Sequence, residues 1–260
     1  LRRYSTDLTD GEWRLISGFI PRAKRGGRPR STCPRRTVDG ILYLVRTGCQ
    51  WRHLPIDFPP WRTVYGYFVA WQRKGVVRRI QRALYEKVRV TETRKLGPSA
   101  VVIDSQSVKT SKAGGLRGFD GGKRVKGRKR HVVVDTLGLM VDVSVTAANV
   151  HDTVGAKKVL TKAVKWLKAK PKVAFADKGY QGAKLATWAK KTVGLAIRTS
   201  NNPAMAAKRF IPMKKRWVVE RTFAWFGDYR RLDKDHERQI THSTGMIRWA
   251  MVRLMLNRLC

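Results

Sequence analysis

The apolar positions of this chain follow two periods, and the change falls near residue 97. In the first part they recur every three to four residues. Trp13, Ile16 and Ile20 follow Thr9, whose N3 position carries Glu12, the pair that makes a capping box. The same spacing predicts helices over 35–47, 63–75 and 76–95. The second of these lines up Val64, Tyr67, Phe68 and Trp71, and the third sets Ile80, Leu84 and Val88 among arginines as a basic amphipathic helix. GCQWRHLPIDFPPW between them reads as an aromatic, turn-rich connector. Core packing is the expected use of Trp51, Trp61, Tyr65, Tyr67 and Trp71.

After Pro98 the period shortens toward two. Apolar runs predict strands over 100–103, 131–134 and 139–147, with DTLG as a hairpin turn between the last two. A helix over 152–168, a strand over 173–176, a helix over 182–191 and a strand over 195–197 follow. Helices over 214–231 and 243–259 complete the chain. Strands and helices in this order make a mixed α/β sheet, preceded by an all-α region. The expected domains are therefore 1–96 and 97–260.

Charge then narrows the partners. With 56 Lys and Arg against 18 Asp and Glu, the net charge of +38 points to a polyanion, and nucleic acid is the expected one. No run of about 18 apolar residues exists and no signal sequence opens the chain, so no membrane role is expected. The cysteines Cys33, Cys49 and Cys260 are widely spaced and make no disulfide framework, which fits a reducing cytoplasm. Cys49 and His53 have a metal-like spacing and Cys33 is a third candidate, but no fourth ligand is apparent. Residues 22–36 carry basic residues and no acid around GGRPR, the composition of an exposed arm, and Arg28 and Arg30 are candidate minor-groove readers.

Three acids stand out against this charge. Asp104 in VVID and Asp177 in VAFAD each follow an apolar run, and side chains at neighbouring strand ends converge where open α/β sheets bind ligands. Read singly, such an Asp is a turn or cap residue. Glu220 lies on a helical stripe with Arg216, opposite Val218, Thr222, Trp225 and Phe226. It is either a solvated partner of Arg216 or a third carboxylate aimed at the strand ends. Between Asp104 and the second strand, residues 109–130 combine glycines with Lys109, Lys123, Arg124, Lys126, Arg128, Lys129 and Arg130, a mobile loop suited to clamping a DNA backbone. Asp152, after His151, is expected to be an N-cap.

The strings GCQWRHLPIDFPPWRTVYGYF, VIDSQSVKT, VKGRKRHVVVDTLGL, ADKGY, RWVVERTFAWF and RRLDKDHE, in this order, resemble the DDE transposases of the bacterial insertion sequence 5 family over nearly the whole chain. The resemblance implies a ribonuclease-H-like catalytic domain with Asp104, Asp177 and Glu220 as catalytic metal ligands. The wider superfamily carries a Tyr, Arg, Glu, Lys signature, in which Arg216 matches while Met213 and Gly227 depart from it. Arg231 or Lys234 is then the expected source of the missing cation.

Two Mg²⁺ ions, with Mn²⁺ as a substitute, are the implied cofactors, because hard oxygen ligands suit them and a pair of ions stabilises both the attacking and the leaving oxygen. The implied reaction cleaves at the ends of an insertion sequence and joins the freed 3′-hydroxyl to target DNA. The implied partners are double-stranded DNA, as terminal inverted repeats and as target, and a second copy of the chain when DNA is bound. A cytoplasmic, nucleoid-associated location in a bacterium goes with this. The alternatives are a catalytically silent DNA-binding relative and a stand-alone metal-dependent nuclease.

Overall fold

The computed structural model describes residues 3–23, 26, 29–112, 114–199 and 217–260. Two compact units emerge. The first contains residues 1–92, 226–233 and 241–260, and the second 93–225 and 234–240. The first break falls close to the expected boundary at 96, but the C-terminal helix belongs with the N-terminal helices, so a single cut does not separate the units.

The first unit is helical: α1 (Asp10–Ser17), α2 (Pro34–Thr47), α3 (Trp61–Arg73), α4 (Val76–Thr91) and α8 (Ile240–Leu259). The capping box forms as expected, with Thr9 accepting from the Glu12 N–H and Glu12 accepting from the Thr9 N–H. α2 stops at Gly48, which takes the left-handed conformation (φ 73°) that glycine adopts without steric cost. α8 is buried around most of its circumference, including Trp249, Met251 and Met255. Gly245 permits that burial, since a Cβ there would lie 3.0 Å from the Phe68 ring of α3. Of the aromatics expected in the core, Trp71 is buried against Trp249, Trp51 and Tyr65 are half-buried against Phe68, and Trp61 lies against the guanidinium groups of Arg52 and Arg62.

The second unit is built on a mixed sheet of β1 (Ala100–Lys109), β2 (Gly118–Asp120), β3 (Val125–Asp135), β4 (Met140–Ala147), β5 (Val173–Ala176) and β6 (Ala196–Thr199). β1 pairs antiparallel with β3, β3 with both β2 and β4, and on its other edge β1 pairs parallel with β5, which pairs parallel with β6. α5 (Asp152–Trp166) and α6 (Ala183–Trp188) connect the later strands, and α7 (Trp217–Gly227) follows them. The DTLG turn closes β3 onto β4, with Asp135 accepting from the Leu137 and Leu139 N–H groups and Gly138 at φ 80°.

Two strands are longer than their apolar cores. β1 runs to Lys109, so Asp104 lies inside it rather than after it, and β3 begins at Val125. The basic stretch expected to be a loop over 109–130 is therefore strand at both ends, with β2 inside it. Along β3, alternation sends Lys129 and His131 to the face covered by α5 and Arg128 and Arg130 to the other face. All four are buried.

Arg128 explains how a guanidinium survives there. It is fully buried and donates to Asp235 at 2.9 Å and to the carbonyls of Leu116, Glu237 and Arg238. Asp235 also pairs with Thr110 as an isolated bridge, so this one side chain ties residues 234–240 to the sheet. Arg128→Ala leaves a buried carboxylate and three carbonyls without their donor. It is expected to cost about 3–5 kcal/mol, read as a lower urea midpoint; a loss below about 1 kcal/mol would contradict this role.

Candidate active site

The two aspartates meet through strand register. Val101 opposes Ala174 and Val102 opposes Phe175 across the parallel β1–β5 pair. Continuing with the same offset brings Asp104 opposite Asp177, the first residue after β5. In-register residues of parallel strands share a face and are separated by about the strand spacing of 4.8 Å. Asp104 Oδ1 accepts from the Ser105 N–H at 2.7 Å. Asp177 sits at the start of the 3₁₀ turn Lys178–Tyr180, and its buried Oδ1 has no hydrogen-bond partner among the described residues.

Behind the pair runs a line of charge that sequence inspection assigned otherwise. His151, not Asp152, caps α5, accepting from the Thr153 N–H. Asp152 is the first residue of the helix and its carboxylate turns inward, accepting from Ser105 Oγ at 2.8 Å and pairing with Lys129 Nζ at 3.3 Å. Lys129 also reaches Asp120 at 3.3 Å. Although burial opposes it, Ser107, the Lys123 N–H and Lys129 hold the Asp120 carboxyl down to about 2. Tyr180 closes the line. Burial pushes its phenol well above the usual value, reinforced by Asp104 and Asp152, and the neighbouring Ser105 hydroxyl offsets this only in part. Among the described residues no group meets the phenol oxygen in good hydrogen-bonding geometry.

Glu220 is exposed on α7, whose Val218, Val219, Thr222 and Phe226 are buried, so Glu220 lies away from the buried side of the helix as its spacing implied. The helix is anchored at the β3–β4 turn. Thr222 Oγ1 donates to the Gly138 carbonyl at 2.8 Å and Arg221 to the Leu137 carbonyl at 2.9 Å, while the Arg221 guanidinium lies between the rings of Trp217 and Trp225. Gly138 is needed for this approach, since a Cβ there would come 3.0 Å from Trp225.

The basic residues singled out for DNA separate into two groups. Lys109, Lys123, Arg124, Lys126 and Lys234 are exposed. Lys123 also places its ammonium 2.7 Å from the Ser105 carbonyl, one residue from Asp104. Arg128, Lys129 and Arg130 are instead buried in β3 and engaged with Asp235, Asp120 with Asp152, and Gln106 respectively, which removes them from direct phosphate contact. Arg231 is corrected for a similar reason. α7 ends at Gly227, and Arg231 lies buried in a 3₁₀ turn with Nη1 donating to the Cys49 carbonyl, so it does not continue the Glu220 stripe. Arg30 is half-buried over the Tyr67 ring and donates to the Pro21 carbonyl. Arg28, Met213 and Arg216 lie outside the described residues.

The fit to a divalent cation can be tested on the pair itself. An unpartnered buried carboxylate oxygen on Asp177, beside a second carboxylate, is a hard-oxygen donor set of the kind Mg²⁺ takes. Among the described residues no three side chains of His, Cys, Asp or Glu are gathered closely enough to hold a metal ion. The β1–β5 register, carried two residues past its last pair, points Asp104 and Asp177 toward one place, and among the described residues no third such side chain joins them.

Residues 95–255 match the family described as the transposase DDE domain, which covers more than half of the chain. The chain belongs to the DDE transposases. Residues 8–81 match a second family, the putative transposase of the IS4/5 family. The chain is 30% identical over 117 residues to uncharacterized protein y4sN of Sinorhizobium fredii, a stretch covering 45% of this chain and 87% of that protein. It is 31% identical over 119 residues to the insertion element IS402 uncharacterized 16.2 kDa protein of Burkholderia cepacia, covering 41% and 76% of the two. It is also 31% identical over 124 residues to the putative transposase for insertion sequence element IS402 of the same organism, covering 44% of this chain and 55% of that protein. DNA is the substrate of a transposase, its family uses divalent metal, and the sheet described above is its ribonuclease-H-like fold. No described helix of the transposase is long and apolar enough to cross a membrane.

One buried group makes the stability of this transposase depend on pH. Burial pushes the His131 imidazole down to about 4, against the pull of Asp152, and Lys129, Lys123 and Lys158 lower it further. Its Nε2 contacts Thr146 at 3.0 Å, and Gly155 of α5 presses on the ring so closely that no Cβ fits there. The unfolded chain takes up this proton near pH 6.5 and the folded chain only near 4, so the unfolded state binds more protons in between. Stability is complete above the unfolded value and falls as pH drops from 6.5 toward 4, by roughly 2–3 kcal/mol. Urea midpoints measured from pH 7.5 to 4 check this, and a flat profile would contradict a neutral buried His131.

Proposed function

We propose that this DDE transposase cleaves DNA at the ends of an insertion sequence and joins the freed 3′-hydroxyl to target DNA, with Asp104, Asp177 and Glu220 as the catalytic metal ligands. The observation that supports the reading is the parallel register of Val101 with Ala174 and Val102 with Phe175, which, continued by two residues, puts Asp104 opposite Asp177. Two Mg²⁺ ions, replaceable by Mn²⁺, would be held by these carboxylates and would supply Lewis acidity to the attacking and leaving oxygens. The chain's own contribution is charge and placement. Asp104 and Asp177 provide ionised oxygens from two strands whose spacing the sheet fixes. Lys123, next to Asp104, offers a cation to the scissile phosphate, and Glu220 comes from a helix anchored independently at the β3–β4 turn.

Both steps are one displacement with different nucleophiles. Water, or later the 3′-hydroxyl, forms a new bond to phosphorus and loses its proton; the old 3′ oxygen leaves and gains one. The joining step exchanges one phosphodiester for another and needs no nucleotide cofactor. The helical region 1–96 is the part assigned to the terminal inverted repeats, with Arg28 and Arg30 on its arm. Two ends must be held together, so a homodimer on DNA is part of the proposal.

Asp104→Asn, Asp177→Asn and Glu220→Gln each keep shape and remove charge. Each is expected to lower cleavage of an end-bearing duplex in Mg²⁺ by at least about a hundredfold while duplex binding stays within about twofold. A variant that cleaves at the normal rate would remove that residue from the set. A pre-cut substrate with a free 3′ end separates the readings further, because a stand-alone nuclease would hydrolyse but never join it, and a silent relative would do neither.

Binding carries its own test. Non-specific duplex affinity is expected to fall by about 0.9 log units per log unit of salt for each phosphate neutralised. Replacing Lys123, Arg124 and Lys126 by Gln together is expected to lower that slope by about two to three. The residues chosen are those the β3 loop exposes; Arg128 is excluded because it is buried. An unchanged slope would mean these cations stay solvated in the complex.

A further inference from the structure

Tyr180 has no part in the mechanism above, and its position is unusual. It is 2% exposed just past the end of β5, in the electrostatic reach of Asp104, Asp152 and Asp177 and beside Ser105. Its neighbours are tied down. Ser105 donates to Asp152, Asp152 is held by Lys129, and Lys129 by Asp120. Asp104 accepts from the Ser105 backbone. Two polar atoms here have no hydrogen-bond partner of good geometry among the described residues, the Tyr180 hydroxyl, which is a donor, and Asp177 Oδ1, which is an acceptor. Leaving either unsatisfied in the interior is costly, and native structures seldom leave such a pair without a purpose.

We propose that Tyr180 is a positioning residue for the Asp104–Asp177 pair, its hydroxyl donating to a carboxylate oxygen of that pair when a divalent cation is bound. The proposal rests on the reading of the pair as the catalytic metal site. A phenol suits the task. It brings one proton and no charge, and a carboxylate that accepts from it keeps lone pairs for a cation. Hydrogen bonds to ligating carboxylates fix their orientation, and losing one typically weakens metal binding about 10–100-fold. Asp152 acts as the stop behind it. Its carboxylate is fixed by Ser105 and Lys129. Gly179 leaves the Asp177 carboxylate room to turn, since a Cβ there would stand 3.1 Å from Oδ1.

The test is Tyr180→Phe in the full chain, with Mn²⁺ affinity measured without DNA by electron paramagnetic resonance of the free ion, alongside thermal unfolding. Mn²⁺ binding is expected to weaken at least about tenfold, with an unfolding midpoint equal to or above that of the unsubstituted protein, because the variant removes an unpartnered buried hydroxyl. Cleavage falls in step and recovers as Mn²⁺ is raised. Unchanged Mn²⁺ affinity overturns the proposal, whether or not the midpoint moves. Asp177→Asn, measured in parallel, separates the two levels. If it loses Mn²⁺ while Tyr180→Phe does not, the positioning role alone fails; if it also keeps full affinity, the pair is not the metal site and both readings fail.

Discussion

The parallel pairing of β1 with β5 is the constraint on which the site depends. Strand side chains alternate with a period of two, so a slip of one residue would send Asp104 and Asp177 to opposite faces. The register is held by apolar contacts, with Val101 and Val102 of β1 and Ala174 of β5 buried, and not by the carboxylates, which repel one another. The hydrophobic effect thus forces two like charges side by side in a chain of net charge +38. A cation is the natural means of relieving that repulsion, and a phosphate-bearing substrate is attracted by the remainder of the surface.

β3 shows how charge is carried inside such a sheet. Its faces each hold basic groups, and each is neutralised differently: Lys129 between Asp120 and Asp152, Arg128 by Asp235 and three carbonyls, His131 by losing its proton. These contacts link the start of α5, the β2 segment and residues 234–240 to the strand beside Asp104. Stability and site geometry are therefore carried by the same residues. A substitution made to remove charge from RKRH at 128–131 would instead break the interior.

Much of this was legible in the sequence where the apolar period is clean. The capping box at Thr9, the helices α2 to α5, the turn at DTLG and the strand β5 follow directly from spacing. Asp104 and Asp177 stood out as two acids after two apolar runs, although Asp104 lies inside β1 rather than after it. The charged halves of β1 and β3 were not, because SQSVK and VKGRK carry the alternation on polar residues whose partners lie far along the chain. Asp152 followed His151 at a helix start, and a cap reading used the right local signal on the neighbouring residue. Only the tertiary contacts with Ser105 and Lys129 reveal its inward turn. Arg231 failed because a helical stripe was extended beyond Gly227, where the helix stops.

The central claim is that one metal site is formed by two segments more than seventy residues apart in sequence and in register in the sheet. Replacing Mg²⁺ by Fe²⁺ and generating hydroxyl radicals with ascorbate and peroxide cuts a polypeptide next to the bound ion. The account predicts backbone cuts at both Asp104 and Asp177, suppressed by excess Mg²⁺ and absent from the Asp104→Asn, Asp177→Asn double variant. Cuts confined to one of these segments, or located elsewhere and unaffected by the double variant, would contradict it.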